Sequence, residues 1–132
     1  SITVQLGDES YKGTRLEYYS GLYSAVPGLL INGRAVYAEK ENWQVENSDG
    51  HSRGILSYCE DKQVWGILLS GNKFSSGQKY LINGDYFSFD PCDFILSSPK
   101  LPDSYDIIKA SSVQWYSWIG VMSSVSHFSL FC

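Results

Sequence analysis

The groups in this 132-residue sequence with the chemistry to catalyse a reaction or hold a metal are two histidines, three cysteines and a run of acidic residues. His51 sits in Ser48-Asp49-Gly50-His51-Ser52-Arg53, which reads as an exposed hairpin loop, and His127 lies in a Ser-rich terminal run. A hydrolase needs a nucleophile, a base within hydrogen-bond reach and a group that orients the base. Serines are plentiful, yet there is no Gly-x-Ser-x-Gly elbow and no cysteine in a recognisable nucleophile context, so no catalytic residue is assigned and the chain reads as a non-enzyme. Asp85, Asp90 and Asp93, followed by Asp103 and Asp106, carry oxygens of the kind calcium takes. The alternating ligands and closing Glu of an EF-hand loop are missing, and Pro91 beside Asp90 marks a strand break. Solvated loop charges explain these residues as well, so neither a metal nor a cofactor is expected.

Cys59, Cys92 and Cys132 show no Cys-x-x-Cys spacing, which argues against zinc. In an oxidising compartment they allow one bridge and one leftover thiol. Cys59 with Cys92 is the expected pair because both lie in the chain interior, whereas terminal Cys132 stays free or pairs with another chain. The sequence starts at Ser1 without an initiator Met and without a charged-then-apolar leader, so a targeting segment is expected to have been removed. The expected location is extracellular or an organelle lumen.

The elements that must position any site are strands. Apolar or alternating runs recur about every ten residues: Ile2-Val4-Leu6, Leu16 to Tyr23, Ala35 to Ala38, Arg53 to Cys59 and Val64 to Leu69. They continue as Lys79 to Ile82, Tyr86 to Phe89, Phe94 to Ser97, Tyr105 to Ala110 and Val113 to Val121, divided by Asn-Gly and Ser-Asp-Gly punctuation. No stretch offers a capped apolar stripe at helical spacing. The expected fold is all-β, a single-domain antiparallel sandwich or barrel of about nine to ten short strands with little helix, spanning residues 1–132. Leu30-Ile31-Asn32-Gly33 recurs as Leu81-Ile82-Asn83-Gly84, and Asn-Gly between strand-like flanks predicts a two-residue type I′ hairpin at both places.

Several of these residues fall in a familiar order. Gly21-Leu22-Tyr23, Asn32-Gly33-Arg34-Ala35-Val36-Tyr37, Leu56-Ser57-Tyr58-Cys59, Val64-Trp65-Gly66-Ile67, Pro102 and Trp115 resemble a β-rich module that recurs in algal, protist and invertebrate proteins. That module's core reads Asn-Gly-Arg-Pro-Val-Tyr, then a Leu-aromatic strand and a Trp-x-Ile/Val strand. This chain has Ala35 in place of the more usual Pro and further sequence after Trp115. The resemblance covers about three-quarters of the chain. It implies a display or binding domain and supplies no catalytic residue.

Charged residues make up 18% of the chain, against roughly 25% in an average soluble protein, while aromatic residues reach 15%. A net charge of −4, with Lys and Arg scattered singly, excludes the clustered cations that bind nucleic acid. Between Ala110 and Cys132 there is no Asp, Glu, Lys or Arg. Serines, Gln114 and His127 interrupt that segment, so it is not expected to span a membrane; it reads as a strand pair or arm that contacts another subunit. In Val113 to Ile119, alternation places Trp115 and Ile119 on one face and Tyr116 and Trp118 on the other. Trp115, like Trp65 in Val64 to Leu69, is assigned to the core. Tyr116, Trp118 and the pair Tyr18-Tyr19 are the expected binding residues, because a single sheet layer in so small a domain buries one face of each strand, so that either a second internal layer covers the other face or that face meets a partner. The expected function is therefore a structural or accessory protein-binding subunit of a larger assembly. The alternative is a carbohydrate-binding module whose aromatics stack on sugar rings.

Overall fold

The computed structural model describes residues 2–6, 19–39, 43–44, 51–52, 54–69, 78–82, 84–102, 106–117, 123–124 and 128–131. Its strands are β1 (Ile2–Leu6), β2 (Gly21–Ile31), β3 (Arg34–Glu39), β4 (Trp43–Gln44), β5 (His51–Ser52), β6 (Gly54–Cys59) and β7 (Val64–Leu69). There follow β8 (Lys79–Ile82), β9 (Asp85–Ser88), β10 (Leu96–Ser97), a 3-10 helix (Ile107–Ser112), β11 (Tyr116–Ser117), β12 (Ser123–Ser124) and β13 (Phe128–Phe131). Nine strands form one antiparallel sheet in the order β12-β11-β10-β7-β6-β3-β2-β1-β13, while β4 with β5 and β8 with β9 make separate hairpins. The fold is all-β with little helix, as the punctuation predicts.

The two edge strands force the sheet to curl. β12 and β13 stand at opposite ends of the order, yet Ser124 and Phe128 are four positions apart in the chain, a reach of at most about 15 Å. Laid flat, nine strands would put those edges roughly 38 Å apart. The sheet therefore bends into a half-barrel, and its two faces bury different cores. The inner cluster joins Val4 of β1 and Leu130 of β13 with Trp65 of β7 and Leu96 of β10, residues from both ends of the order that meet only inside a curled sheet. The outer cluster sets Val36, Ala38, Ile55 and Leu68 against Ile82, Phe87 and Phe89 of the β8–β9 segment. β6 is buried at all six positions as a result, Leu56 and Tyr58 inward and Ile55 outward. The premise that this sheet buries one face fails at its centre, because a second hairpin covers the other.

Both Asn-Gly turns close hairpins. Asn32 (φ 55°) and Gly33 (φ 76°) lie between the paired residues Ile31 and Arg34, which is the type I′ geometry. The returning strand runs from Arg34 to Glu39, one residue longer at each end than the expected Ala35 to Ala38. Gly84 (φ 90°) lies between the paired residues Ile82 and Asp85, and Asn83 is outside the described residues. A β-branched residue tolerates positive φ poorly, so Gly33→Val and Gly84→Val should each lower stability by more than about 1 kcal/mol. Urea midpoints unchanged in both variants would contradict the turn assignment.

Several expected strands differ from the structure: β2 begins at Gly21, leaving Tyr19 and Ser20 of the expected Leu16 to Tyr23 strand outside it, and β10 holds only Leu96–Ser97 of the expected Phe94 to Ser97. Tyr105 to Ala110 was expected as a strand, but Ile107–Ser112 is a 3-10 helix, and Tyr105 is outside the described residues. Ile107 and Ala110 are both buried and three positions apart, the repeat of a 3-10 turn rather than the two-residue repeat of a strand. The Trp115 indole fixes the helix by donating from Nε1 to the Ala110 carbonyl at 2.8 Å. Of the expected strand Val113 to Val121, only Tyr116–Ser117 joins the ladder among the described residues, and Trp118 to Val121 lie outside them.

Candidate functional site

Of the expected aromatic binding set, Tyr19 and Tyr116 are among the described residues. Tyr19 belongs to the core: it is fully buried in the inner cluster, and its carbonyl accepts a hydrogen bond from the Tyr23 hydroxyl at 2.9 Å. It precedes β2, which begins at Gly21, so strand alternation never applied to it. Tyr116 is half-buried on β11, between Ser97 and Ser124. Tyr18 and Trp118 lie outside the described residues, as do His127, Cys132 and the side chain of His51. His51 itself begins β5 rather than lying in a loop. Trp65 and Trp115 are buried as assigned. In the uncharged 110–132 segment, Ala110, Trp115, Ser117 and Leu130 are buried within this domain. Charge is absent at those positions because they build the domain's own core.

The Asn-Gly-Arg stretch works as a latch. Asn32 donates from Nδ2 to the Tyr58 carbonyl at 3.2 Å, and Arg34 donates back to the Asn32 carbonyl at 2.9 Å. The guanidinium stands 3.6 Å over the Tyr58 ring, a cation–π contact. Tyr58 in turn donates to the Leu101 carbonyl at 2.9 Å and meets Trp65 edge-on. Arg34 is only 7% exposed, so this cation is spent on internal packing rather than offered to an anionic ligand. The cysteines join as expected, Cys59 to Cys92, and tie the end of β6 to the turn after β9.

A second polar cluster lies around Glu39, which is buried. The Tyr23 hydroxyl stands 3.0 Å from Glu39 Oε1 as well as near the Tyr19 carbonyl, so its one proton serves two acceptors. Burial, with the neighbouring Glu39 carboxylate second, pushes the Tyr23 phenol well above its ordinary value and keeps it protonated. Gly54 makes room for this pair, since a Cβ there would collide with Glu39 Oε1 and the Tyr23 hydroxyl. Tyr23 and Glu39 are both buried, so the pair packs inside the domain. On the outer face the Ser57 hydroxyl is buried without a hydrogen-bond partner. Ser57→Ala removes a desolvated hydroxyl and should leave stability unchanged or raise it by up to about 1 kcal/mol. A drop in the thermal midpoint of several degrees would show that the hydroxyl is bonded.

What faces outward is the hairpin that covers the sheet. In β8–β9 the residues Tyr80, Ile82 and Phe87 turn toward the outer core, and Leu81 and Tyr86, directly opposite each other, turn away from it. Leu81 is 53% and Tyr86 60% exposed, with exposed Lys79 two positions before Leu81. Tyr80 packs on Phe89 with ring centroids 4.5 Å apart, and burial, then Asp90, raises its phenol above the ordinary value. The pairing was readable from the sequence: a two-residue turn at Asn83-Gly84 makes Leu81 and Tyr86 cross-strand partners. No three His, Cys, Asp or Glu side chains converge among the described residues, and no helix among them is long and apolar enough to cross a membrane. Compared with protein-family models, with curated proteins and with solved structures, the chain matches none.

Proposed function

We propose that this chain is a protein-binding β domain, a structural or accessory subunit of a larger assembly, which meets its partner through the outward face of β8–β9. The observation behind this reading is the Leu81–Tyr86 pair: two large apolar side chains opposite each other in solvent, on a hairpin whose other face packs through Ile82, Phe87 and Phe89. Tyrosine is enriched at contact surfaces because it adds area at little entropic cost. The residue order from Asn32-Gly33-Arg34 to Trp115 supports grouping the chain with the β-rich module it resembles. The Cys59–Cys92 bridge supports an extracellular or lumenal site of action.

The test is co-purification of the full chain with and without Leu81→Asp and Tyr86→Asp. The double variant should keep its thermal midpoint within a few degrees and lose a stoichiometric partner, with each anchor worth about 2 kcal/mol. A variant that retains the partner rejects the surface. The exposed Tyr86 ring also favours a second reading, stacking on a sugar ring. A glycan array with titration of its hits separates the two: binding that Tyr86→Ala abolishes supports the glycan reading, and a blank array removes it.

A further inference from the structure

The β8–β9 hairpin is attached to the molecule in an unusual way. Among the described residues it shares no backbone ladder with the nine-stranded sheet; its own two strands pair, and Phe89 N–H closes its base on the Gln78 carbonyl at 3.3 Å. A lone two-stranded hairpin is marginal in water, so its docking rests on what holds it from outside. Side chains of Ile82, Phe87 and Phe89 press on Val36, Ala38, Ile55 and Leu68. The Cys92–Cys59 bridge to the end of β6 adds to them, and three residues beyond Cys92 the chain rejoins the sheet, with Ile95 N–H on the Ile67 carbonyl at 2.9 Å. The link from Phe89 to Cys92 is a short, fixed turn, in which the Asp90 carboxylate accepts from Cys92 N–H at 2.9 Å and the Asp90 carbonyl from Asp93 N–H at 2.9 Å. The disulfide therefore clamps the base of the hairpin against the outer face through a stiff arm.

We infer that Cys59–Cys92 is a redox latch on a cover: while it is closed, β8–β9 hides the outer apolar face, and when it is reduced the hairpin lifts and bares Val36, Ala38, Ile55 and Leu68. Cys59 is fully buried and Cys92 half-buried, so Cys92 is the less enclosed end of the bridge and the one a thiolate is assigned to attack. The reductant is a dithiol of the thioredoxin type. Its first thiolate attacks Cys92 Sγ, the Cys59–Cys92 bond breaks, and Cys59 leaves as a thiolate that takes up a proton. The second thiol of the reductant, as its thiolate, then attacks the mixed disulfide and releases Cys92, which is protonated in turn. Two electrons and two protons pass to the protein, and the reductant ends as a disulfide.

The experiment measures backbone 15N order parameters on the full chain, oxidised, treated with dithiothreitol, and as the Cys59→Ala/Cys92→Ala variant. On reduction, residues 79–88 should fall from a rigid value near 0.85 to below about 0.6, while Ile55–Tyr58 and Val64–Ile67 stay rigid. The double variant should reproduce the reduced state without reductant, and reoxidation of the wild-type chain should restore the hairpin. If residues 79–88 stay rigid in the reduced protein, side-chain docking suffices and the latch is overturned. If hairpin and sheet lose order together, the disulfide is a staple of the whole fold and the latch is overturned as well.

Discussion

Trp65→Ala and Trp115→Ala should each remove about 3–5 kcal/mol of folding stability, the range for a large aromatic truncated inside a closed core. Trp65 is 0% and Trp115 1% exposed, and both belong to the inner cluster around which the sheet curls. Trp65 also sets its ring edge-on to Tyr58 at 5.6 Å, so its loss loosens the ring on which Arg34 rests. The Trp115 indole holds the 3-10 helix through Ala110, and truncation frees that helix as well. Against a total stability of about 5–15 kcal/mol for a single domain, either change brings the chain close to unfolding. Urea denaturation measures both. Tyr86→Ala is the control, expected within about 0.5 kcal/mol of wild type because the ring stands in solvent. If Trp115→Ala matched that control, the inner core would not need the helix.

Replacing Cys59 and Cys92 together by Ala should lower global stability by about 4 kcal/mol. The bridge closes a loop with a sequence separation of 33, and chain-closure entropy for such a loop gives a value of that size. The loop contains β7 and the whole β8–β9 segment, so the unfolded chain gains freedom over a quarter of its length. Denaturant midpoints with and without dithiothreitol check it: the wild-type protein should lose as much on reduction as the double variant loses by mutation. A loss below about 1 kcal/mol in both would show that the unfolded chain is already compact around this loop.

Strands such as Val64–Leu69 and Lys79–Ile82, both Asn-Gly turns, the cysteine pairing and the burial of Trp65 and Trp115 were legible in the sequence, because each follows from a local rule. Period-two alternation marks a strand, positive φ selects Asn-Gly, and two interior cysteines bridge more readily with each other than with a terminal one. What the sequence hid depends on long-range placement. Tyr19 was expected at a binding face because aromatics outnumbered the positions one sheet face can bury. The curl of the sheet closes an inner core that takes in Tyr19 from the segment ahead of β2, while the β8–β9 cover buries the other face around Phe87 and Phe89. Ile107 and Ala110 read as strand residues because Tyr105 to Ala110 is too short to distinguish periods of two and three. The hairpin that carries Leu81 and Tyr86 was visible, but its inner and outer faces are decided by Val36, Ile55 and Leu68 on strands far away in the chain.

The most direct test of the claim that the outer face of β8–β9 is the contact surface is site-specific photo-crosslinking from Tyr86, in the native assembly, compared with the same probe at exposed Lys100. A probe at position 86 should give one defined protein adduct, which disappears when Leu81→Asp is added, and the probe at position 100 should give none. Equal adducts from both positions, or an adduct at 86 that survives Leu81→Asp, would contradict the assignment.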